Sequence, residues 1–307
     1  MIVAITGANG FIGRHLVQRF THAGWTTRAI TRRDFATGAV DDLTRGADVV
    51  VHAAGATRAP SVAQLRESNV ALTQRMLDVA RAAAVRRFVF ISSQAAGGPA
   101  ATLAAPVDEN ATPSPVEPYG QSKLDAENAV RTASGMATAI VRPAAVYGPG
   151  DRDFLAMFKL ARRGAAIHPG NRDHWLSIIH AHDVADAVLT CATSTTAIGQ
   201  TYFFANDEPV QWAELFRLGA ECAERTLRLD VNVPEPIVKI GAAIGDLTAA
   251  VTGRASLFTS GKVALSKPAF WICSNLKARR ELSFSPKIDL RRGLGETYAW
   301  YRANKWL

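Results

Sequence analysis

The chain has 307 residues, of which 48% are hydrophobic and 20% charged, and its formal net charge is +8. This composition is typical of a soluble globular protein with one large domain or two smaller ones. No apolar run approaches the roughly 20 residues that span a membrane, and the N-terminal residues lack the basic region and cleavage site of a signal peptide. We therefore expect a cytoplasmic protein.

The excess of positive charge is spread along the chain. The arginine pairs at 162–163, 279–280 and 291–292 lie far apart, and no basic stripe carries interleaved aromatic residues, so we expect no nucleic-acid partner. A soluble enzyme that binds an anionic cofactor explains the charge better. The three cysteines, Cys191, Cys222 and Cys273, fit no metal or redox spacing.

The first half of the chain alternates apolar strand candidates with helix-like segments. The strand candidates are short, nearly all apolar and bounded by Gly, Asp or Pro, as in strands buried on both faces of a parallel sheet. They read MIVAIT, TTRAIT, DVVVHAA, RFVFISS and TAIVRP, with helices predicted at residues 14–23 and 69–84. This alternation predicts an α/β fold with a doubly wound parallel sheet.

Two connections in this half have unusual lengths. Only residues 35–48 separate the second and third strands, which predicts a trimmed crossover rather than a full helix and a further strand. The Pro- and Ala-rich stretch at residues 97–118 predicts a long loop, and loops of this length are often functional lids or else disordered.

The second half follows a looser pattern. Residues 149–164 predict a helix that leaves the sheet. Residues 177–192 predict a return to the sheet, with a strand end followed by a helix capped by Asp183. Beyond residue 205 we expect helices, a strand at TLRLDVNV and an apolar helix at 234–251.

A glycine-rich turn follows the first strand. Gly7 permits a tight turn, Gly10 lets the backbone approach a pyrophosphate, and Gly13 lets the helix pack closely on the strand. The first N–H groups of that helix would face the same phosphates. Because the triplet lies between a buried strand and a helix, its context indicates dinucleotide binding.

The stretch TGANGFIG resembles the TGxxGFIG fingerprint of the extended short-chain dehydrogenase/reductase superfamily, in its NAD(P)-dependent epimerase/dehydratase family. The similarity continues through VVVHAAG, residues 67–93, VRPAAVYGPGD, IIHAHDVADAV and FSPKIDLRRGLGETYAWYR, and so covers nearly the whole chain. It implies a Rossmann-type dinucleotide-binding domain at residues 1–146 and 176–204. Residues 147–175 and 205–307 would form a smaller, mostly C-terminal α/β substrate-binding cap.

A tyrosine and a lysine four residues apart, Tyr119 and Lys123, would share one face of a helix. Ser92 and Ser93 end a predicted strand at the carboxyl edge of the sheet, where ligands bind in open α/β folds. The resemblance favours Ser93 as the catalytic serine. Lys123 would lower the pKa of Tyr119, which would exchange a proton with a substrate oxygen held by Ser93.

The remaining site residues are assigned by the same resemblance. The expected cofactor contacts are Gly7, Asn9, Gly10, Phe11, Ile12, Gly13, Arg32, Arg33, Ala53, Ala54, Gly55, Asn69, Tyr119, Lys123, Pro143 and Val146. The expected substrate contacts are Thr57, Ser93, Gln94, Ala95, Tyr147 and Trp175. The core of the cap is the alternative place for Trp175 and for Phe154.

Two departures from the superfamily pattern narrow the choice of reaction type. Nucleotide-sugar dehydratases carry an acidic pair directly after the catalytic hydroxyl, whereas Gln94 and Ala95 follow Ser93 here. Nucleotide-sugar epimerases often carry an arginine that grips the diphosphate. Leu176 aligns with that arginine, although Arg172 lies nearby and is a candidate substitute.

The second strand runs into a basic stretch, AITRRD, which indicates the cofactor. NAD-dependent members carry an acidic residue there that binds the ribose 2′-OH, whereas an arginine holds the 2′-phosphate of NADP. Arg32 matches the arginine of dihydroflavonol-reductase-like enzymes, and with Arg33 it predicts NADP. The alternative is a solvated basic turn with Asp34 rotated inward, which would accept NAD.

We therefore expect an NADP(H)-dependent oxidoreductase that transfers hydride between nicotinamide and a ketone, aldehyde or secondary alcohol. It would be similar to dihydroflavonol reductases and 3β-hydroxysteroid dehydrogenases. The alternatives are a nucleotide-sugar 4-epimerase with tightly bound NAD and a redox-sensing regulator on this fold. The expected partner is a small-molecule substrate, and we expect no association with a membrane. The resemblance implies a homodimer.

Four histidines are candidate metal ligands. His180 and His182 alternate on an extended segment and would have to converge with His168 or His174. A metal site needs three or four convergent ligands, so we expect none here.

Overall fold

The computed structural model describes residues 1–169, 172–252 and 267–307. Its strands are β1 (Ile2–Thr6), β2 (Thr26–Ile30), β3 (Val49–His52), β4 (Arg87–Ile91), β5 (Ala137–Pro143), β6 (Ala145–Tyr147), β7 (Ala165–Pro169), β8 (Trp175–Leu176), β9 (Ile178–His180), β10 (Thr201–Phe204), β11 (Val210–Gln211), β12 (Leu229–Val233) and β13 (Phe270–Trp271).

The longer helices surround the central sheet and form much of the second half. They are α1 (Phe11–His22), α2 (Arg32–Thr37), α3 (Ala39–Thr44), α4 (Val62–Arg66), α5 (Leu72–Ala82), α6 (Gln94–Gly97), α7 (Pro118–Arg131), α8 (Leu155–Arg162), α9 (Ala181–Thr193), α10 (Trp212–Cys222) and α11 (Glu235–Thr252), followed by Leu276–Leu282 and the C-terminal helix Leu290–Ala303. One π-helical turn, Glu67–Ala71, joins α4 to α5. Among the described helices none combines the length and apolarity that crossing a bilayer requires.

Six parallel strands form the central sheet in the order β10-β5-β4-β3-β1-β2. The predicted α/β class and the five strand candidates of the first half are confirmed. Because β1 lies between β2 and β3, the winding of the chain reverses beside it. Such a switch point opens a crevice at the carboxyl ends of the strands, and the glycine-rich turn begins there.

The apolar runs of the sequence are explained by burial on both faces of this sheet. In β3, Val49 and Val51 pack into one apolar cluster with Leu16 of α1, whereas Val50 between them packs into a second cluster with Met76 of α5. Alternate side chains of a strand point to opposite faces, so both faces must be apolar. A third cluster joins α8, α10 and the C-terminal helix.

The crossover from β2 to β3 is trimmed, as the sequence predicts. It consists of α2 and α3, two helices of six residues each, joined at Gly38, which has a φ of +79°. This short connection keeps the start of α2 beside the glycine-rich turn.

The structure corrects the sequence prediction around α9. The strand that precedes it, β9, pairs with β6 and not with the central sheet, whose sixth strand is β10. The N-cap of α9 is His180 rather than Asp183. The Asp183 carboxylate instead accepts hydrogen bonds from the backbone of Lys287 and Ile288, because its position in the first turn faces the C-terminal segment.

The long loop between α6 and α7 is packed against the rest of the chain. The Ala100 N–H donates to the Phe270 carbonyl at 2.8 Å, and the Val107 N–H donates to the Ile272 carbonyl at 3.2 Å. The carboxylate of Glu109 accepts from the Phe203 N–H of β10 at 2.8 Å. These contacts fix the loop to the second half of the chain, which argues against both disorder and a free lid.

Candidate active site

The glycine-rich turn brings three backbone segments into close contact. A Cβ atom on Gly13 would lie 2.0 Å from the Gly7 carbonyl oxygen, and one on Gly7 would lie 2.8 Å from the Ala54 nitrogen. Gly7 also has a φ of +69°, which favours glycine. Gly10 is the N-cap of α1, and no described side chain caps that helix, so its first N–H groups stay available to an anion.

A groove of about 860 Å³ follows this turn, within the usual size of a cofactor site. The expected cofactor contacts that line it are Gly7, Asn9, Gly10, Arg32, Arg33, Ala53, Ala54 and Gly55. Phe11, Ile12 and Gly13 open α1 behind the turn. Backbone donors, space that only glycine leaves, and guanidinium groups suit a dinucleotide with anionic phosphates, so the residues present fit a nicotinamide cofactor.

The basic run opens a helix rather than ending a strand. β2 ends at Ile30, and Arg32 and Arg33 are the first two residues of α2, both exposed. The Asp34 carboxylate accepts from the Thr31 N–H at 2.7 Å and from the Thr31 hydroxyl at 2.6 Å. Both bonds hold the pKa of Asp34 below its usual value, and the bond from the Thr31 hydroxyl has the larger effect. Asp34 is therefore directed at Thr31 and not into the groove.

Asn69 is a buried residue of the π-helical turn. Its Oδ1 accepts from the Ala56 N–H at 2.7 Å, and its Nδ2 donates to the Ala56 carbonyl at 2.9 Å and to the Ser122 hydroxyl at 2.8 Å. A Cβ on Gly55 would lie 2.8 Å from Asn69 Oδ1. These contacts position the loop after β3 against α7, so Asn69 supports the groove, and its direct contact with the cofactor stays a prediction.

Ser93 and Tyr119 come together beyond the carboxyl end of β4. Ser93 caps α6 by accepting from the Ala95 N–H at 3.1 Å. Tyr119 is in the first turn of α7, where the Glu117 carboxylate accepts from the Tyr119 N–H at 2.7 Å. Burial raises the pKa of Tyr119 to about 12, and a hydrogen bond with Ser93 acts in the opposite direction. The phenol therefore keeps its proton at neutral pH.

Lys123 lies one helical turn beyond Tyr119 and is buried. Its ammonium donates to the Ile91 carbonyl at 2.6 Å and lies 4.2 Å from the centre of the Phe90 ring. Burial lowers the pKa of Lys123 to about 7, although the Glu127 carboxylate favours the charged form. The net pKa of Tyr119 is nevertheless raised, because the effect of burial on the phenol dominates, so the expected lowering by Lys123 does not set the protonation state of the phenol.

A buried ion pair lies beneath the site, and sequence reasoning missed it. Arg142 of β5 donates to both carboxylate oxygens of Glu127, at 2.8 and 2.7 Å, and both side chains are buried. The Ser92 hydroxyl and the Arg131 guanidinium donate to the same carboxylate. Ser92 is thus engaged in a structural network, which leaves Ser93 to face Tyr119. The one signal in the sequence was an arginine inside the apolar run TAIVRP.

The expected substrate contacts next to Ser93 have different environments. Gln94 is buried and its Nε2 has no hydrogen-bond partner within the described residues, whereas Ala95 is half-buried and Thr57 is exposed. Pro143 and Val146 lie at the end of β5 and in β6.

The aromatic residues expected at the substrate are placed in the second half of the chain. Tyr147 has no exposed surface, and a Cβ on Gly293 would lie 2.4 Å from its hydroxyl oxygen. This corrects its assignment to the substrate, because it packs under the C-terminal helix. Phe154 is likewise in the third apolar cluster. Trp175 is half-buried in β8, between Gln211 and Phe270 of the neighbouring strands.

Arg172, the candidate substitute for a diphosphate-binding arginine, already has an anionic partner. Its Nη2 lies 2.8 Å from the Asp230 carboxylate of β12. His168 contacts the other oxygen of that carboxylate at 2.9 Å. The Asp230 carboxylate would therefore compete with a nucleotide-sugar diphosphate for Arg172.

The third possible metal ligand beside His180 and His182 is Glu296, and not His168 or His174. His180, His182 and Glu296 place one possible ligand atom each within 4.8 Å of one another. However, the Arg292 guanidinium donates to the Glu296 carboxylate at 2.8 Å, and the His180 Nδ1 accepts from the His182 N–H. A neighbouring cation and an engaged ring nitrogen do not favour a metal ion.

Comparison with known proteins identifies relatives of this chain. The chain is 31% identical to a ceramide reductase of Caulobacter vibrioides, over all of this chain and 96% of the relative. It is 27% identical to a UDP-glucose 4-epimerase of Vibrio cholerae, over 70% of this chain and 74% of the relative.

Solved structures show the same fold. MoeE5, solved in complex with UDP-glucose and NAD, superposes with a TM-score of 0.80 at 23% identity, over 99% of this chain and 100% of that chain. The model of the NAD dependent epimerase/dehydratase family matches residues 3–203, about two thirds of the chain. The protein is therefore an enzyme of the NAD dependent epimerase/dehydratase family, within the short-chain dehydrogenase/reductase superfamily.

Proposed function

We propose that the protein is an NADP(H)-dependent reductase of a ketone or aldehyde, with Ser93, Tyr119 and Lys123 as its catalytic residues. The observation that carries the proposal is the position of Ser93 at the start of α6 and of Tyr119 in the first turn of α7, both beyond the carboxyl end of β4, with the pKa of Tyr119 raised by burial. The similarity to a ceramide reductase along the whole chain supports reduction as the reaction class.

The phenol of Tyr119 acts as the proton donor. Because burial raises its pKa to about 12, the group holds a proton throughout the neutral range and gives it up only to an oxygen that becomes strongly basic. A carbonyl oxygen develops that basicity as its carbon is reduced. Ser93 hydrogen bonds the same oxygen and fixes it beside the phenol.

The ammonium of Lys123 lies one helical turn beyond Tyr119 on α7, at the carboxyl end of β4. Its pKa of about 7 means that it is charged below neutral pH and increasingly neutral above it. The charged form stabilises negative charge on Tyr119 after proton transfer. Bound NADPH supplies the hydride for the carbonyl carbon.

The choice of NADP rests on the residues around the groove. Arg32 and Arg33 line it, while the acid that follows them, Asp34, binds Thr31; Glu67 lines the groove from the π-helical turn. An arginine attracts a 2′-phosphate, and an acid in the same position would repel it. NAD is the alternative cofactor.

A nucleotide-sugar 4-epimerase with tightly bound NAD is the second candidate, because the chain is similar to a UDP-glucose 4-epimerase over 70% of its length. That reaction would use the same serine, tyrosine and lysine. The ion pair between Arg172 and Asp230 counts against it, since the Asp230 carboxylate would compete with the diphosphate for Arg172.

Two measurements on purified protein separate the candidates. Denaturing fresh protein and analysing the released nucleotides tests for retained NAD, and NADPH oxidation is then followed with a panel of ketones and aldehydes. We expect little retained NAD and carbonyl-dependent NADPH oxidation. Retained NAD, together with interconversion of UDP-sugars and no NADPH oxidation, would refute the reductase.

A further inference from the structure

A third arginine faces the end of the groove that holds the basic run. Arg75 comes from α5, an element far from Arg32 and Arg33 in sequence, yet all three side chains line the same groove. Sequence motifs give no reason to select it, since it lies in an ordinary amphipathic helix.

The guanidinium of Arg75 is held in place before any ligand binds. Its Nη2 donates to the Phe35 carbonyl at 2.7 Å, and its guanidinium carbon lies 5.4 Å from the centre of the Phe35 ring. Phe35 belongs to α2, the helix that Arg32 opens. Arg75 is thus fixed beside α2, with most of its five N–H donors still free.

None of these three arginines forms an ion pair with a carboxylate in the part of the chain that the structure describes. By contrast, Arg81 on the same helix pairs with Asp78 at 2.9 Å, and many other surface arginines are paired. Glu67 also lines the groove, but it forms no direct ion pair with any of the three in the described part of the chain. Neighbouring guanidiniums without a direct carboxylate partner repel one another, and a multiply charged anion stabilises such an arrangement.

We propose that Arg75 is a specificity-determining residue that binds the 2′-phosphate of NADP opposite Arg32. This inference rests on the proposed NADP-dependent function and deepens it. A phosphate monoester offers three acceptor oxygens and about two negative charges near neutral pH. It therefore suits guanidiniums that approach from two separate elements.

The test measures nucleotide binding by calorimetry and needs no substrate. Two probes differ at the ribose: adenosine 2′,5′-bisphosphate carries the phosphate in question, and adenosine 5′-monophosphate lacks it. The variants are R75Q, the charge-conserving R75K, and R81Q as a control at another exposed arginine of α5, which does not line the groove. Circular dichroism checks that each variant is folded.

We expect R75Q to weaken binding of the bisphosphate by about tenfold or more and to leave binding of the monophosphate unchanged. R75K should recover part of the loss, and R81Q should match the wild type. Equal weakening of both probes would indicate an adenine contact and overturn the inference, as would an unchanged affinity for the bisphosphate. A wild type that does not prefer the bisphosphate would overturn the proposed NADP preference itself.

Discussion

The carboxylate of Asp34 accepts two hydrogen bonds from Thr31, one from its backbone N–H and one from its hydroxyl. This pairing directs Asp34 away from the cofactor groove, which Arg32 lines. We expect R32D to shift the preference from NADP towards NAD, by about tenfold to a hundredfold in the ratio of kcat/KM values. Steady-state kinetics with both cofactors measure it.

The control for this change is R45D, which alters an exposed arginine of the same charge. Arg45 pairs with Asp42 at the end of α3 and does not line the groove. Its cofactor preference should equal that of the wild type. An unchanged preference in R32D would make Arg32 an ordinary residue of a solvated turn.

The two serines after β4 provide a matched pair of variants. Ser93 pairs with Tyr119, whereas Ser92 donates to the buried Glu127. We expect S93A to lower kcat strongly and to lose about 1 kcal/mol of the free energy of unfolding, because it removes the N-cap of α6. S92A should keep most of kcat but lose about 1 to 3 kcal/mol of the free energy of unfolding, because it leaves a buried acceptor less satisfied. Turnover and urea denaturation are measured on both variants. The assignment would be contradicted if S92A lost most of kcat and S93A lost the larger part of the stability.

The phenol of Tyr119 is predicted to be the proton donor. We expect Y119F to lower kcat by about a hundredfold to ten-thousandfold while leaving the affinity for NADPH unchanged. Fluorescence titration of NADPH and single-turnover rates separate the two quantities. A variant that retained normal turnover would exclude Tyr119 from the chemistry.

The pH dependence of turnover follows from Lys123. Its pKa is lowered to about 7 by burial, so raising the pH through 7 removes its charge. If the ammonium assists proton transfer, the reduction rate falls as the pH rises through that value, while Tyr119 stays protonated. Initial rates are measured over about two units on each side of pH 7. The K123M variant should be slower, and its rate should not fall as the pH rises through 7. A wild-type rate that does not change across neutral pH would contradict the role of Lys123 in proton transfer.

The Glu127–Arg142 pair makes a stability prediction that is separate from activity. E127A leaves the buried Arg142 guanidinium without its bidentate partner, at a cost of about 3 to 5 kcal/mol in the free energy of unfolding. Replacing both residues, as E127L with R142M, should recover much of that loss because no buried charge remains. Urea denaturation of the single and double variants measures the difference, and equal stability losses would contradict this account of the pair.

Much of this fold was predictable because local pattern and burial agree. The apolar runs of β1 to β5 and the glycine-rich turn specify a buried parallel sheet with a crevice at Gly7. The strand β10 and the pairing of β9 with β6 could not be predicted, because the short strands in the second half of the chain depend on partners that are distant in sequence. The same limit explains why Tyr147 was placed at the substrate, although it packs against Gly293, nearly 150 residues away.

The site divides in the same way. The residue types at 93, 119 and 123 carry their chemistry in the sequence, whereas the protonation states depend on burial that no motif records. The pKa of Tyr119 rises and that of Lys123 falls because the surrounding elements exclude water. Arg75 and Phe35 meet only in the folded chain, as do Glu127 and Arg142.

The central claim is that hydride moves from NADPH to a carbonyl carbon at this site. Its most direct test uses NADPH deuterated at C4, in both stereochemical forms, with a carbonyl compound that the protein reduces, and mass spectrometry of the product alcohol. We predict that deuterium from one of the two forms appears on the carbinol carbon, and that Y119F abolishes the transfer. Failure to transfer deuterium from either form to any carbonyl compound, with UDP-sugars interconverted on retained NAD, would contradict it.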